Sequence, residues 1–445
     1  MSVVATVSAA ITRLFGETAD AIGRRVAVIQ RQRKFTATTL LQTFVLGYLK
    51  NPRADDAALA QMAARCGVSV TPQAIDQRHT PALADFLREA FAEAARTLVA
   101  GNRVLAPILE RFTGVWLMDG STVTLPAGQA DPFPGGGTAG PSAAVKLQTT
   151  LDLRSGAVTV ALEPGRQADG ATPRLHERRG PRSLAIRDLG YFNLTVFAAM
   201  MAADEGFLSR LQYGTLVQPQ GESVWLGRDA AAWRAWLLRH PGPFVDVPIR
   251  LGRDRHLPCR MIAWRLPPEV ANRRRQKLRA DTQDAKGREP SADRLAWCDW
   301  TILVTNVSAH RLTPKEAAVL YRARWQVELL FKRWKSLNLV AVLSGSTEAR
   351  QMVRVWGRLL ASLLQHWLLL ATVWGDARQS LTKASLATRD IATELARSLA
   401  AATDVAAAID ELAALLRTTA RRNRRSKPGT FELLNNVDLL DFRLT

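Results

Sequence analysis

The stretch YRARWQVELLFKRWK runs from Tyr321 to Lys335 and holds five basic residues around a single carboxylate, Glu328. Upstream, Thr313, Pro314 and Glu316 supply an N-cap, a first-turn proline and an acidic first turn, so the spacing predicts one helix running to about Leu337. At about 100° per residue, Arg324, Glu328 and Lys335 all fall within about 60° of Tyr321. Val319, Val327, Leu330, Trp334 and Leu337 take the opposite side, which makes the helix amphipathic. Two readings stay open from this helix alone. Glu328 has Arg324 at i−4 and Lys332 at i+4, as in a salt-bridged surface helix. Alternatively, the stripe is a site in which one carboxylate works among cations.

Composition narrows the choice. The chain has 445 residues, is 47% hydrophobic and carries a formal net charge of +20. It is long enough for two or three domains, and so basic a balance points to a polyanionic partner or to a solvated basic surface. Cys66, Cys259 and Cys298 are far apart and show no zinc-ligand spacing, which fits a reduced compartment. The first twenty residues meet charge too early for a secretory signal, so a cytoplasmic location is expected. The longest apolar run, Leu359 to Trp374, contains Gln365 and His366 and reads as a buried core helix rather than a membrane span.

Along the chain, residues 1–102 read as a helical N-terminal DNA-binding domain, with Gln73, Gln77 and Arg78 as candidate DNA contacts. Within it, positions 57–80 suggest helix, Gly-Val-Ser turn and second helix, the layout of a helix-turn-helix with Gln73, Asp76, Gln77 and Arg78 on the second helix; ordinary helical hairpins share that pattern. Residues 103–218 turn strand-rich, with strand signals at 114–126, a Gly/Pro loop at 131–142, a hairpin around Arg154-Ser155-Gly156, then a strand and helix over 183–205 and another strand from 206. Residues 219–296 read as a β-rich insertion with its own small sheet and a basic helix. Residues 297–375 return with a buried strand and the Glu328 helix, and 376–445 read as a helical C-terminal region, a candidate for dimerisation, containing the basic run 421–427. The expected class is α/β, a mixed sheet with helices on its faces.

Two further carboxylates weigh on the first question. Asp119 follows the apolar run Val115 to Met118, and Asp188 closely follows Leu184 to Ile186, so each stands near the end of a buried strand. A charge there is costly unless it is paired or binds a metal. Three carboxylates at one sheet edge would suit hard divalent cations, and such ions activate attacking and leaving oxygens in phosphoryl transfer.

The pattern Tyr-x₂-Arg-x₃-Glu-x₆-Lys, filled by Tyr321, Arg324, Glu328 and Lys335, resembles the YREK signature of the insertion-sequence-four family of bacterial DDE transposases. Asp119 in MDGST and Asp188 in RDLGYF are similar to that family's two catalytic aspartates, and the order of helical region, first Asp, second Asp, β-rich insertion and Glu agrees. The resemblance spans about residues 30–375. It implies a ribonuclease-H-like fold and cut-and-paste transposition of a bacterial insertion sequence. In that chemistry a nick frees a 3′-OH, a hairpin forms and is reopened, and the ends join target DNA. It further implies that Asp119, Asp188 and Glu328 hold two Mg²⁺ ions, with Mn²⁺ able to substitute, and that Tyr321, Arg324 and Lys335 grip phosphates. The partners implied are double-stranded DNA, as terminal inverted repeats and target, and a second copy in a homodimer, with no membrane; the setting is the bacterial nucleoid.

Trp300 opens the strand WTILVTNV, 28 residues before Glu328, where similar enzymes stack a tryptophan on a flipped base; core packing is its alternative. Trp325 is a candidate for packing at the DNA edge, with core packing as the expected alternative. Arg273, Arg274, Arg275, Lys277 and Arg279 are candidates for DNA contact, or for a solvated face. Two rival functions are a metal-dependent nuclease without strand transfer and a non-catalytic DNA-binding protein.

Overall fold

The computed structural model describes residues 2–30, 33–136, 142–423 and 427–441. Part of the Gly/Pro loop, 137–141, and of the basic run, 424–426, lies outside the described residues. The chain divides into two compact units that interleave in sequence. The first comprises Met1–Val104, Asp119–Gln167 and Gln326–Arg425, and the second Leu105–Met118, Ala168–Trp325 and Ser426–Thr445.

The strands are β1 (Val115–Leu125), β2 (Ala143–Asp152), β3 (Val158–Pro164), β4 (Leu184–Arg187), β5 (Gly206–Arg210), β6 (Val217–Pro219), β7 (Val245–Leu251), β8 (Leu257–Arg265) and β9 (Trp300–Thr305). Their order is β3-β2-β1-β4-β5-β9-β8-β7-β6, and β1 contributes to both units because the division falls within it.

In the first unit, β2 and β3 form the expected antiparallel hairpin, turning at Arg154-Ser155-Gly156. All ten residues of β2 are buried, which is why it reads as a run without clean alternation. The long helix Glu348–Thr372 is the core of this unit, with Trp356, Leu359, Leu360, Leu363 and Leu364 fully enclosed. Gly357 lets Tyr48 of the helix Ala37–Lys50 approach closely, since a Cβ there would stand 2.6 Å from the tyrosine ring. The polar residues of the apolar run are all used. Gln365 donates to Ser385 O and Thr388 Oγ1 and accepts from Asn338, while His366 Nε2 donates to Gly156 O at 2.8 Å. Burial pushes His366 down to about 4, so it is neutral. Among the described residues no helix is long and apolar enough to cross a membrane.

In the second unit, β1 and β4 run parallel with Val115, Trp116 and Leu117 opposite Leu184, Ala185 and Ile186, and β4 runs parallel to β5. Phe197 of the helix Leu194–Ala202 stacks on Phe207 of β5 at 4.1 Å, and Trp233 and Trp236 of the helix Ala230–Leu238 join the same core. The segment 219–296 does not form a separate small sheet. β9 pairs antiparallel with β5 on one side and with β8 on the other, so β8, β7 and β6 extend the sheet that β4 and β5 belong to. β9 is buried from Thr301 to Thr305, and β8 occupies the backbone edge that β5 leaves to it. The fold is the mixed α/β arrangement of a ribonuclease-H-like sheet with helical regions before and after it.

Gly156 has φ of 72°, and a Cβ on it would meet Leu370 Cδ2 at 2.4 Å. Gly156→Ala is expected to cost about 2–4 kcal/mol, from the left-handed backbone and the overpacking together. Urea denaturation followed by circular dichroism measures this; an unchanged midpoint would refute the packing described.

Candidate active site

The helix carrying Tyr321 is fixed at its start. Thr313 caps it, and the Thr313 N–H donates to Glu316 Oε2 at 2.8 Å, completing a capping box over Pro314–Ala323. Arg111 holds the same Glu316 carboxylate at 2.7 Å. Arg260, paired with Asp246, donates to Leu312 O at 2.6 Å and ties down the preceding loop. The helix does not continue unbroken to Leu337. Arg324 keeps right-handed backbone angles, but its N–H bonds to Tyr321 O three residues back; a second segment, Trp325–Lys332, follows, then a π-helical turn, Arg333–Leu337. The uniform 3.6-residue period assumed for the stripe therefore fails at both places.

The break coincides with where the Arg324 side chain goes. In the second unit, Asp188 follows β4 and opens the turn Leu189–Tyr191. Tyr321 Oη donates to Asp188 Oδ1 at 3.2 Å, and Arg324 Nη1 stands 3.8 Å from Asp188 Oδ2, with its guanidinium 5.9 Å from the Tyr321 ring centroid. Burial first, and then the Asp188 charge, push the Tyr321 hydroxyl well above its ordinary pKa, so it stays a donor. Arg210, the last residue of β5, and Arg274 act electrostatically on Tyr321 as well. Burial, reinforced by Arg210, lowers Arg274 to about 10. Three guanidiniums thus act on the Tyr321 hydroxyl, and one of them, Arg324, also faces Asp188. Arg210 is the functional candidate that sequence reasoning missed. Its guanidinium makes no hydrogen bond or ion pair among the described residues. The available signal was its place at the end of a buried strand beside the strand that leads to Asp188.

In the first unit, Asp119 is half-buried in β1, and its carboxylate accepts the Gly120 N–H at 2.9 Å. Glu328 is half-buried in the segment Trp325–Lys332. Lys335 is half-buried in the π-helical turn; burial lowers its pKa, and it pairs with no carboxylate among the described residues. Asp119, Asp188 and Glu328 have the donor chemistry of a hard-cation site. Among the described residues, however, no three His, Cys, Asp or Glu side chains are gathered so as to hold a metal ion.

Trp300 is half-buried and packs on the core of the second unit. It also lines a cavity of about 720 Å³ with Trp264, Leu266, Arg275 and Asp299. Arg274 donates to Thr301 Oγ1 at 3.0 Å and Arg275 pairs with Asp299, so two of the predicted DNA-contacting arginines anchor the helix Pro268–Lys286. Arg279 faces Glu289 at 3.5 Å, while Arg273 and Lys277 are exposed. Trp325, expected in the core, is 56% exposed. At about 100° per residue it lies about 40° from Tyr321, away from the apolar face.

The second helix of the helix-turn-helix-like segment is a single turn, Pro72–Asp76, so Gln77 and Arg78 lie beyond it. Gln73 and Gln77 are exposed, whereas Arg78 lies over the Phe35 ring at 5.6 Å. Asp76 is held by Arg350, which also donates to Asp56 at 2.9 Å, and His79 Nε2 shares the other Asp56 oxygen at 3.0 Å. Burial raises the Asp56 carboxyl, but the hydrogen bonds from Arg350 and His79 outweigh it and hold the pKa below the usual range. Such a group contributes stability above its unfolded pKa of about 4 and loses it as pH falls through the folded value. Arg350→Ala is expected to destabilise the chain by about 1 kcal/mol at pH 7 and to make the acid-side loss of stability shallower. Unfolding midpoints between pH 3 and 7 measure both; parallel curves would refute the linkage.

Residues 110–364 match the family model described as the Transposase DDE domain. That is more than half of the chain, and the chain belongs to this family. It is 26% identical over 361 residues to the transposase for insertion sequence element IS231B of Bacillus thuringiensis subsp. berliner, covering 77% of this chain and 75% of the relative. It is likewise 26% identical over 334 residues to the transposase for insertion sequence element IS1151 of Clostridium perfringens, covering 69% of each. The sheet and the family agree on a ribonuclease-H-like transposase of the insertion-sequence type, a class that acts on DNA and generally uses a divalent metal.

Proposed function

We propose that this chain is a bacterial insertion-sequence transposase that binds terminal inverted repeats as a homodimer, cuts the ends and joins the 3′-OH ends to target DNA. The observation that carries the reading is the convergence of Tyr321 and Arg324 on Asp188. Two residues of the YREK pattern thereby meet the second aspartate, although 133 and 136 residues of chain separate them from it. In this reading Asp119, Asp188 and Glu328 are the carboxylates that hold Mg²⁺ or Mn²⁺ in the DNA-bound enzyme. The ion would supply Lewis acidity at the scissile phosphate.

The chain's own cations do the gripping. Arg324 and Arg210, with Tyr321 as hydroxyl donor, take phosphate oxygens near the terminal nucleotides, and Lys335 adds a point charge. Exposed Arg273 and Lys277 contribute non-specific backbone attraction, while Arg274 and Arg275 position the Trp300 strand. Trp300 offers its ring to an extruded base during hairpin formation, and its place on the wall of a cavity large enough for a nucleobase supports that role. Gln73, Gln77 and Arg78 remain candidates for repeat recognition, as surface contacts around a single helical turn.

Three outcomes test this reading. Glu328→Gln, incubated with repeat-ended DNA and Mg²⁺, is expected to abolish cleavage while leaving DNA binding unchanged; persisting cleavage would remove Glu328 from the site. Arg210→Ala is expected to weaken end binding by roughly tenfold and to reduce the salt slope by about one. Filter binding across a salt series measures this, and an unchanged slope would place Arg210 off the DNA. Trp300→Ala is expected to impair hairpin formation more than first-strand nicking, as resolved on denaturing gels; equal losses would mark a folding role. Excised hairpin ends and strand-transfer products separate a transposase from a nuclease that cuts without joining.

A further inference from the structure

The helix Pro268–Lys286 is fastened to the second unit along one side. Ala271 and Thr282 are buried, Arg274 donates to Trp300 O and Thr301 Oγ1, and Arg275 donates to Leu295 O and pairs with Asp299. At about 100° per residue these four positions fall within about 100° of one another. The other side is exposed at Asn272, Arg273, Gln276, Lys277 and Ala280. Asn272 and Gln276, four residues apart, make an amide stripe, and Arg273 and Lys277 make a cationic stripe beside it. Ala280 continues between the two without bulk.

This face is not satisfied by its own charges. Glu269 stands at i−4 from Arg273 and Asp281 at i+4 from Lys277, the spacing at which a solvated helix closes ion pairs. None of these four side chains makes an ion pair or a hydrogen bond among the described residues, and neither does Gln276. Asn272 is held in place: its Oδ1 accepts from Arg275 Nη1 at 2.6 Å, which leaves its amide N–H groups as what it offers.

Neutral amides add little attraction for a polyanion, but they offer directed hydrogen bonds. A glutamine presents a donor and an acceptor side by side, the pair that matches N7 and N6 of adenine in the major groove. A helix with its side chains is about 10–12 Å across, and the major groove of B-DNA is about 12 Å wide. Asn272 and Gln276 stand about 6 Å apart along the axis, close to the rise of two base pairs. Asp281 and Asp284 are exposed in the later turns and repel phosphate, which confines the contact to the first half of the helix.

We propose that this half of the helix reads base edges in the major groove of the element ends. Gln276 is the specificity-determining side chain and takes adenine, Asn272 donates to a neighbouring purine N7, and Arg273 and Lys277 hold the flanking phosphates. Arg274 and Arg275 tie the helix to the strand that begins at Trp300, so the bases read lie next to the position that strand serves. The inference rests on the reading of the chain as a transposase that binds DNA ends.

The test offers the full-length protein duplexes that end in the inverted repeat with its positions randomised, and sequences the bound fraction for wild type, Gln276→Ala and Lys277→Ala, with folding checked by circular dichroism. Wild type is expected to prefer adenine at one position that Gln276→Ala no longer distinguishes, its other preferences being kept. Affinity of Gln276→Ala for the preferred duplex should fall roughly tenfold at an unchanged salt slope. Lys277→Ala should weaken all duplexes alike and lower the slope by about one. 7-Deazaadenine at the affected position, which removes N7 from the groove, should weaken wild type and leave Gln276→Ala unaffected. An unaltered preference profile in Gln276→Ala, a uniform loss across all positions, an unchanged slope in Lys277→Ala, or equal weakening of both proteins by 7-deazaadenine overturns the inference and leaves the transposase reading standing. A wild type that does not bind repeat-ended duplex overturns that reading and the inference with it.

Discussion

Within the second unit the arrangement depends on one hydrogen bond between distant stretches of chain, from the Tyr321 hydroxyl to the Asp188 carboxylate. Both ends of that bond are prepared independently. The parallel pairing of β4 with β1 and β5 brings Asp188 to the end of a buried strand. The capping box at Thr313 and Glu316, with Arg111 and Arg260 behind it, sets the helix that presents Tyr321. Neither preparation uses the other's residues, so the meeting of the two is a property of the fold rather than of a local motif.

Cations are distributed by task. Arg260, Arg111 and Arg275 are engaged by carboxylates and carbonyls and act as fasteners. Arg210, Arg273, Lys277 and Lys335 have no carboxylate partner among the described residues and are available to an outside polyanion. The net charge of +20 is therefore not spread evenly as a solvated coat. Part of it is consumed in holding the insertion and the start of the Tyr321 helix in place, and part is left to the DNA that this family acts on.

Much of this was legible in the sequence. β1, the β2–β3 hairpin, β4 with its following helix, and the capped start of the Tyr321 helix all announce themselves through apolar runs, turn residues and a capping box. What the sequence hid was non-local. The pairing of β8 with β9 depends on which backbone edge is open, and side-chain periodicity does not encode that. The break at Arg324 was invisible because the segment holds no Gly or Pro to mark it, and the π-helical turn further on shifts the phase again. Trp325, expected in the core as tryptophans usually are, is instead exposed, on the side of the segment where Tyr321 also lies. Arg210 carried no local signal beyond its strand end, and its meaning came only from the guanidiniums gathered near it.

β9 shows a further property of this design. It is laddered on both sides, to β5 and to β8, and the carbonyl of Trp300 accepts from Arg274. The insertion before it is thus stitched into the central sheet instead of hanging from it. The backbone of Trp300 is held by its β8 partner Arg265 and by Arg274, and the β5 ladder joins further along at Leu303, so the indole responds to a ligand chiefly by turning about its own χ angles. The insertion thereby converts a loop-borne aromatic into a rotor on a rigid mount, and the amides of Ile302 to Val304 belong with the slowest-exchanging of the chain.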